Sequence, residues 1–261
     1  MVIIIYDSYL HNPMYFFLWN LSILDLCISS VVVPKMLFDF LSTSRTISIA
    51  GCFSQIFFFH FFGSTEAVLV SVMSYDRYMA IGNPLRYVSI MTPKVCLHLA
   101  LTTWAIGFFH SLLHTVMTSK LLFCGHNLVE HFFCDIRPVL NLSCTDITLN
   151  LKLLTLVTGN LVLATFLLTL LSYILIIKCL IKIKTTEGRK HAFSTCSAHL
   201  TVVLLQYGSV IFSYGRSSSG ASLDQDRAAG VIIAAFIPTL NPIIYTLRNK
   251  DLKRAFKKMT K

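Results

Sequence analysis

Residues 151–177 read LKLLTLVTGNLVLATFLLTLLSYILII, and from position 153 onward this stretch carries no charged side chain. An α-helix rises about 1.5 Å per residue, so roughly 20 mostly apolar residues cross the ~30 Å hydrocarbon core of a bilayer. The stretch is long and apolar enough to do so. It therefore predicts a membrane-spanning helix.

The composition of the whole chain agrees with a membrane protein. Nine apolar residue types make up 55% of the 261 residues and charged types only 13%, and the mean hydropathy is +0.69. An ordinary soluble domain carries about 25% charged residues, so a soluble globular fold is excluded. The 20 phenylalanines and the long aliphatic runs also exclude a disordered chain.

Five further stretches have the length and hydropathy of membrane spans, at 15–38, 53–80, 95–117, 192–214 and 228–247. Together with 151–177 they predict an all-α, polytopic helical bundle of six full spans, which we number in chain order. The apolar start, residues 1–6, is too short to span, and we interpret it as the inner end of a helix whose beginning is absent. We expect residues 1–247 to form the membrane bundle and residues 248–261 a cytoplasmic amphipathic helix and tail.

Most of the 22 lysine and arginine residues follow the second, fourth and sixth spans. Loops rich in these residues stay in the cytoplasm, so we expect the C-terminus there and the loop between the third and fourth spans outside. The formal net charge of +10 then forms a cytoplasmic belt with affinity for anionic lipid or a cytosolic partner. Binding of nucleic acid is not expected.

Four of the eight cysteines fall on the predicted outer face, at Cys52, Cys124, Cys134 and Cys144. Disulfides persist in an oxidising compartment, and four cysteines allow three pairings. The even spacing of the last three along one loop favours a stapled cap over the helices. The alternative is a set of unpaired, buried thiols.

Polar residues inside the spans are candidates for function, because a charge in lipid is costly unless it is paired or hydrated. Asp25 of the first span and Glu66 of the second lie at matching depth. With Asn241 of the last span they could share a hard cation such as sodium, which prefers oxygen ligands. Two protonated carboxyl groups that share hydrogen bonds are the alternative.

Two further motifs lie at or near the inner ends of the spans. Asp76 and Arg77 close the second span, where a pair that snorkels to the lipid boundary is the generic alternative to a functional role. Pro242 lies inside the sixth span and removes one backbone hydrogen bond there. We therefore expect a kink at this proline.

His110 and His114 lie four residues apart on one face of the third span, a spacing that can hold a metal ion. No third ligand is evident, and Cys134 is better explained by a disulfide. We therefore predict no transition-metal site and no cofactor apart from the sodium ion. The sequence also contains no zinc-protease, nucleophile-elbow or phosphate-loop motif, so we do not expect an enzyme.

Five blocks of sequence together resemble one family, the olfactory receptors, which are rhodopsin-like seven-helix receptors coupled to G proteins. The resemblance runs from residue 13 nearly to the C-terminus. The blocks occur in the family's order, and their joint presence makes the match specific. They are 13–18 (PMYFFL) with 21–25 (LSILD), 73–81 (MSYDRYMAI), the three-cysteine loop through 131–135 (HFFCD), 190–199 (KHAFSTCSAH) and 238–250 (PTLNPIIYTLRNK).

The resemblance implies the disulfides Cys52–Cys134 and Cys124–Cys144. It also implies that odorants bind among the helices and that the receptor activates a stimulatory heterotrimeric G protein, which raises cyclic AMP. Arg77 would engage the G protein when the fifth span swings away and opens a cytoplasmic groove. The residues that the resemblance assigns to coupling and switching are Asp76, Arg77, Tyr78, Tyr173, Asn241, Pro242 and Tyr245.

Counting back from Arg77 in steps of three and four residues defines the inward face of the second span. This face and stripes on the fourth, fifth and sixth spans form a mainly apolar wall with a few hydroxyls and no acid that would anchor an amine. Such a wall suits a small, neutral, mainly apolar volatile molecule with one hydrogen-bonding group, although stripes of this kind also serve packing alone. The predicted lining residues are Phe59, His60, Gly63, Ser64, Val157, Thr158, Leu161, Tyr207, Val210, Ile211, Tyr214, Val231 and Ala234.

The sequence also departs from the family pattern. Gly82 stands where the family usually has cysteine, Ser74 stands where it usually has alanine, and most of the first helix is missing. Loss of that helix would expose Asp25 and Asn241 to lipid, so a truncated product that does not signal is the alternative expectation. An ion channel or transporter, with the buried acids as its path, is the remaining alternative.

Overall fold

The computed structural model describes residues 12–125, 127–183, 185, 196–209, 223–248 and 254. Within these residues the regular structure is helical, apart from one isolated antiparallel bridge between Phe123 and Ser143. We number the helices in chain order. They are α1 (Pro13–Leu41), α2 (Ile49–Gly82), α3 (Pro84–Ile90), α4 (Pro93–Ser119), α5 (Ile136–Leu140), α6 (Thr148–Lys182), α7 (196–209) and α8 (223–248).

Five helices in the described part of the chain are long and apolar enough to cross a membrane. They confirm five of the predicted spans: the first four extend several residues beyond the predicted bounds, and the fifth, Arg227–Thr246, agrees with 228–247 to within one residue. The predicted span at 192–214 coincides with α7, and its two ends lie outside the described residues. The tail after residue 248 is also outside them, apart from the helical Arg254, so the amphipathic helix stays a prediction.

Local sequence explains where the long helices begin. Asn12, Ser48 and Thr92 precede α1, α2 and α4, and each side chain accepts a hydrogen bond from a backbone N–H of the first turn. These bonds satisfy amide groups that have no partner inside the helix. Pro13 and Pro93 occupy the first helical position, where the missing amide hydrogen costs nothing.

The helix α2 lies at the centre of the bundle and packs against α1, α4 and α6. Gly107 allows the close approach of α4, because a Cβ added there would lie 2.8 Å from the carbonyl oxygen of Phe61. Trp104 of α4 also reaches α1, where its Nε1 donates to Asn20 Oδ1 over 3.2 Å. The main apolar core gathers buried side chains of α1, α2, α6, α7 and α8, among them Tyr15, Phe17, Leu24, Leu69, Met73, Ile176, Val202 and Tyr245.

Two helices contain a π-helical turn that the sequence pattern did not indicate. One covers Leu154–Thr158 in α6 and the other covers Ile232–Phe236 in α8. The helix α8 continues through Pro242 to Arg248, so its departure from α-helical geometry precedes the proline where we expected a kink. Such turns change which side chains share a helix face, and they often occur at functional sites.

The loop between α4 and α6 forms a disulfide-bonded cap over the end of α2. Cys52 is bonded to Cys134 and Cys124 to Cys144, with Cα–Cα distances of 5.3 and 5.7 Å. These are the pairs that the resemblance implied. A small apolar cluster holds the cap in place, formed by Ile56, Cys134, Ile136, Val139, Leu140 and Leu154.

Candidate functional site

The cap inserts an aromatic side chain into the end of the predicted pocket that lies next to the cap. Phe133 is buried and packs with Val32 of α1 and Ala234 of α8. Its ring centroid lies 4.8 Å from that of Phe59 on α2. Phe59 and Ala234 belong to the predicted lining, so the structure brings them together through a residue that sequence reasoning did not assign to the pocket.

A glycine of α8 accommodates the same loop. A Cβ added to Gly230 would lie 2.7 Å from His131 Cε1 and 3.1 Å from Phe133 Cε1. One turn earlier, Arg227 Nε donates to the carbonyl oxygen of Glu130 over 3.0 Å. The outer end of α8 and the cap therefore fit closely, and only a residue without a side chain leaves room for both rings.

A second contact ties the cap to α2. His60 Nε2 and Asp135 Oδ1 are 2.8 Å apart, and Asp135 also accepts the backbone N–H of Ile136 over 2.7 Å. Burial by itself would raise the pKa of Asp135. The hydrogen bond from His60 and the electrostatic interactions with His60 and His131 outweigh burial and hold that pKa below its usual value.

Four polar side chains form a continuous row below the cap. Ser64 Oγ lies 2.8 Å from His110 Nδ1, and His110 Nε2 lies 2.9 Å from Thr158 Oγ1. The same Thr158 oxygen lies 3.1 Å from His114 Nε2. The row joins α2, α4 and the π-helical turn of α6. It includes Ser64 and Thr158 of the predicted lining and both histidines that had no predicted role.

The remaining predicted lining residues are less closely connected. Tyr207 is buried on α7, with its hydroxyl 3.4 Å from Thr169 Oγ1 and its ring centroid 5.3 Å from that of Phe166. Gly63, Val157, Leu161 and Val231 are half-buried. Val210, Ile211 and Tyr214 lie outside the described residues.

A groove of about 320 Å³ opens between α7 and α8. Of the predicted lining residues that the structure describes, none borders this groove. The side chains around it are almost entirely apolar, and they are Leu204, Leu205, Gly208, Ser209, Ala229, Ile232 and Ile237.

Near the middle of the bundle three polar residues meet as the sequence suggested. Asn241 Nδ2 lies 2.8 Å from Asp25 Oδ1 and 3.3 Å from Glu66 Oε1, and all three residues are buried. Asn241 Oδ1 is buried without a hydrogen-bond partner. Carboxylate and amide oxygens are the ligands that hard cations prefer. Among the described residues no three His, Cys, Asp or Glu side chains form a further metal-binding group.

At the opposite end of α2 from the cap, Asp76 and Arg77 are 1% and 6% exposed. They are therefore buried and do not snorkel to the lipid boundary. Asp76 Oδ2 lies 3.7 Å from Arg77 Nη2, and Asp76 Oδ1 accepts a hydrogen bond of 2.8 Å from the Tyr87 hydroxyl of α3. Nothing in the sequence pattern singled out Tyr87, because its role depends on how α3 folds back on α2.

Three of the other predicted switch residues, Tyr78, Tyr173 and Tyr245, lie on α2, α6 and α8. Tyr173 of α6 bonds His199 Nδ1 of α7 through its hydroxyl over 2.8 Å, and the Tyr245 hydroxyl is buried without a partner. Tyr78 packs on Gly82, where an added Cβ would lie 3.1 Å from its ring. His199 was part of a sequence block, but no spacing argument gave it a role.

An all-helical bundle with apolar spans, a disulfide-bonded cap at one end and a buried acid–arginine pair at the other is the architecture of seven-helix membrane receptors. The sequence profile of the olfactory receptor family matches residues 1–261. Olfactory receptor 12D1 of Homo sapiens is 52% identical over 262 residues, which cover 100% of this chain and 82% of that protein. Olfactory receptor 12D2 of Homo sapiens is 50% identical over 98% of this chain and 83% of its own length. Olfactory receptor 5T17 of Mus musculus is 48% identical over 100% of this chain and 80% of its own length.

The chain therefore belongs to the olfactory receptor family. As a member of this family it is an odorant receptor that couples to a G protein, and it is not an enzyme. It is located in a membrane that it crosses several times.

Proposed function

We propose that this receptor binds small, mainly apolar volatile molecules within the bundle and then activates a stimulatory heterotrimeric G protein, which raises cyclic AMP. The observation that carries the coupling is the buried pair of Asp76 and Arg77 beside Tyr87. We infer that this end of α2 and the basic C-terminus face the cytoplasm, because basic loops stay on that side.

The chemistry of the pocket supports a small neutral ligand. Phe59, Phe133 and Ala234 pack together as an apolar cluster against which an apolar ligand would lie, whereas Ser64 and Thr158 carry hydroxyls that would hold one polar group of the ligand. The acid of the cap, Asp135, is already paired with His60. It therefore does not offer a carboxylate to an amine.

The inner end of α2 supports the coupling role. A buried charge is stable only while it has a partner, and here Arg77 faces Asp76. A ligand that favours an open arrangement of α6 and α7 would let Arg77 exchange this partner for polar groups of the G protein. This is a shift between two populations, driven by the higher affinity of the ligand for the open one.

The coupling proposal can be tested by co-expressing the receptor with a stimulatory, olfactory-type G protein and measuring cyclic AMP during exposure to volatile compounds. Arg77→Ala should abolish the response, because the open state would lack its cationic contact. Arg45→Ala removes an exposed arginine from the loop between α1 and α2 and should leave the response intact. An unchanged response of Arg77→Ala, at equal surface expression, would contradict the coupling role.

We also propose that Asp25, Glu66 and Asn241 hold a sodium ion. Two buried carboxylates face one amide, and a cation between them would offset their mutual repulsion. The amide oxygen without a partner supports this arrangement, since a half-turn of the side chain exchanges its oxygen and nitrogen positions. Replacing sodium with choline should change ligand potency in the wild type and much less in Glu66→Gln. Equal sensitivity of the two would favour the protonated carboxyl pair.

The two alternative functions have separate tests. Labelling of intact cells for a tag at the C-terminus should fail, while a tag in the cap should be labelled, and the reverse result would contradict the proposed orientation.

A receptor that never reaches the surface would be the non-signalling product. Ion flux through proteoliposomes without a G protein would favour the channel or transporter.

A further inference from the structure

Ser64, His110, Thr158 and His114 form a row in which hydroxyl and imidazole groups alternate, and we call it the hydroxyl–imidazole row. Its three contacts measure 2.8, 2.9 and 3.1 Å, within the normal range for hydrogen bonds. Both histidines are nearly completely buried. Their hydrogen-bond partners in the described structure are hydroxyls rather than carboxylates, which favours neutral rings.

Counting protons shows that the hydrogen bonds of a neutral row can all donate toward His114 or all donate toward Ser64. Each member supplies one proton, and a neutral imidazole donates from one nitrogen and accepts at the other. In the first direction Ser64 donates to His110, His110 donates to Thr158, and Thr158 donates to His114. In the second direction every bond is reversed. Both directions hold the same four protons, and they differ in which nitrogen of each ring is protonated. Changing the direction moves one proton along each of the three bonds and returns the extra proton of His114 from its Nδ1 to Ser64 through water, so that all four groups stay neutral.

The direction determines what Ser64 offers to a ligand. In the first direction its proton is used within the row, so only its lone pairs remain and they accept a hydrogen bond from an alcohol. In the second direction Ser64 accepts from His110, and its own proton is free for the carbonyl oxygen of an aldehyde or ketone. Ser64 is half-buried, and the neighbouring Gly63 has open space beside it, because an added Cβ would meet nothing within 4 Å.

We propose that this row lets Ser64 act either as a hydrogen-bond acceptor or as a donor toward the ligand. One receptor would then bind an alcohol and the aldehyde of the same carbon skeleton with similar affinity. This inference rests on the proposed function and narrows the ligand class. His110 acts here as a positioning residue, since it would act on the ligand through Ser64. A third arrangement, in which both rings donate to Thr158, would leave Ser64 as an acceptor for alcohols only.

The test compares cyclic AMP responses to hexanol with hexanal and to octanol with octanal, and uses octane as the apolar probe. The wild type should respond to each alcohol and its aldehyde with potencies within about threefold. In His110→Phe the hydroxyl of Ser64 loses its ring partner and turns to the backbone carbonyl one turn earlier, as serines in helices do. Aldehyde potency should then fall about five- to tenfold relative to the alcohol.

Two controls separate this role from simple packing. His98→Phe changes an exposed histidine near the other end of α4 and should leave the alcohol-to-aldehyde ratio unchanged. Ser64→Ala should weaken both polar probes alike and spare octane. An unchanged ratio in His110→Phe, with normal surface expression, would overturn the inference and leave the odorant function standing. Silence of the wild type to every probe would instead count against the proposed ligand class.

A second measurement tests the row without any ligand. Nitrogen NMR of the purified receptor with isotope-labelled histidine distinguishes the two neutral tautomers, and His110→Phe and His114→Phe assign the two signals. Either direction of the row requires opposite tautomers at these positions. Two rings protonated at the same nitrogen would overturn the inference.

Discussion

The two histidines of the hydroxyl–imidazole row, which joins α2, α4 and α6, and the residues Asn241 and Tyr245 of α8 are all buried, yet their hydrogen bonding is very different. Each side chain of the row has at least one hydrogen bond to another member, although the adjacent Thr115 Oγ1 has none. On α8, Asn241 Oδ1 and the Tyr245 hydroxyl are buried and have no hydrogen-bond partner within the described part of the chain. A buried polar group without a partner costs about 1–3 kcal/mol.

This difference indicates which part of the bundle is set for movement. A satisfied row resists displacement, because any shift breaks bonds between helices. An unpartnered group does the opposite, since a shift that supplies a partner recovers its cost. We infer that α4 is a fixed wall of the pocket and that α8 is the element ready to rearrange.

The largest expected effect comes from breaking the fixed wall. In Gly107→Ala the new methyl group would meet the backbone of Phe61, push α4 away from α2 and separate Ser64 from His110. We expect a loss on the order of 3 kcal/mol of stability and loss of most surface expression, measured by antibody labelling. Gly159→Ala is the matched control, because a Cβ there meets nothing within 4 Å. Equal expression of the two variants would show that the α2–α4 contact is not tight.

A smaller change in stability is expected on α8, and it should be a gain rather than a loss. Tyr245→Phe removes a buried hydroxyl that has no partner, so we expect the resting receptor to gain about 1 kcal/mol of stability and to respond more weakly to ligand. Tyr173→Phe removes a hydroxyl bonded to His199 and should lower stability instead. Thermal unfolding of both variants checks the pair, and a fall in stability for Tyr245→Phe would contradict the proposed contrast.

The fit of the cap against α8 predicts a more modest effect on ligand binding. Gly230→Ala forces the rings of His131 and Phe133 to shift, but the atoms that must give way belong to side chains and not to the backbone. We expect a change in ligand potency of about two- to threefold, with expression near the wild-type level. Gly159→Ala again serves as the control. Identical dose–response curves for wild type and Gly230→Ala would show that Phe133 does not shape the pocket.

The smallest effect concerns acid stability. The depressed pKa of Asp135 means that the folded receptor favours its carboxylate form. The contact with His60 therefore stabilises the receptor above the unfolded pKa of about 3.9 and is lost as the pH falls through the lower folded value. Melting temperatures of Asp135→Asn should be lower than those of the wild type at neutral pH and converge with them in acid. Glu130→Gln, an exposed acid in the same loop, should keep the wild-type profile.

Hydropathy was sufficient to predict five of the six expected spans, because each segment of a membrane protein must by itself be apolar enough to lie in lipid. Sequence spacing also placed Asp25, Glu66 and Asn241 at one depth, and the structure brings them together. The insertion of Phe133 was not predictable in this way. It depends on a glycine of α8 that lies opposite the loop only after folding, and one-dimensional periodicity contains no such information.

Local geometry limited the prediction in two further places. The π-helical turn at Leu154–Thr158 alters the helical phase of α6, so a constant period cannot give the facing of its side chains. Tyr87 was missed because its sequence neighbours give no sign that α3 packs on the end of α2.

The unbroken length of α2 has a mechanical consequence. Cys52 and Arg77 lie on the same helix, and at about 1.5 Å per residue they are roughly 38 Å apart along its axis. The covalent bond to Cys134 restrains one end of this rod as a pivot, whereas the other end carries the guanidinium. A tilt of about 3° would then move the guanidinium end by about 2 Å but Ser64, about 18 Å from Cys52, by only about 1 Å, so a slight adjustment beside the hydroxyl–imidazole row would become a displacement on the scale of a hydrogen bond at Arg77.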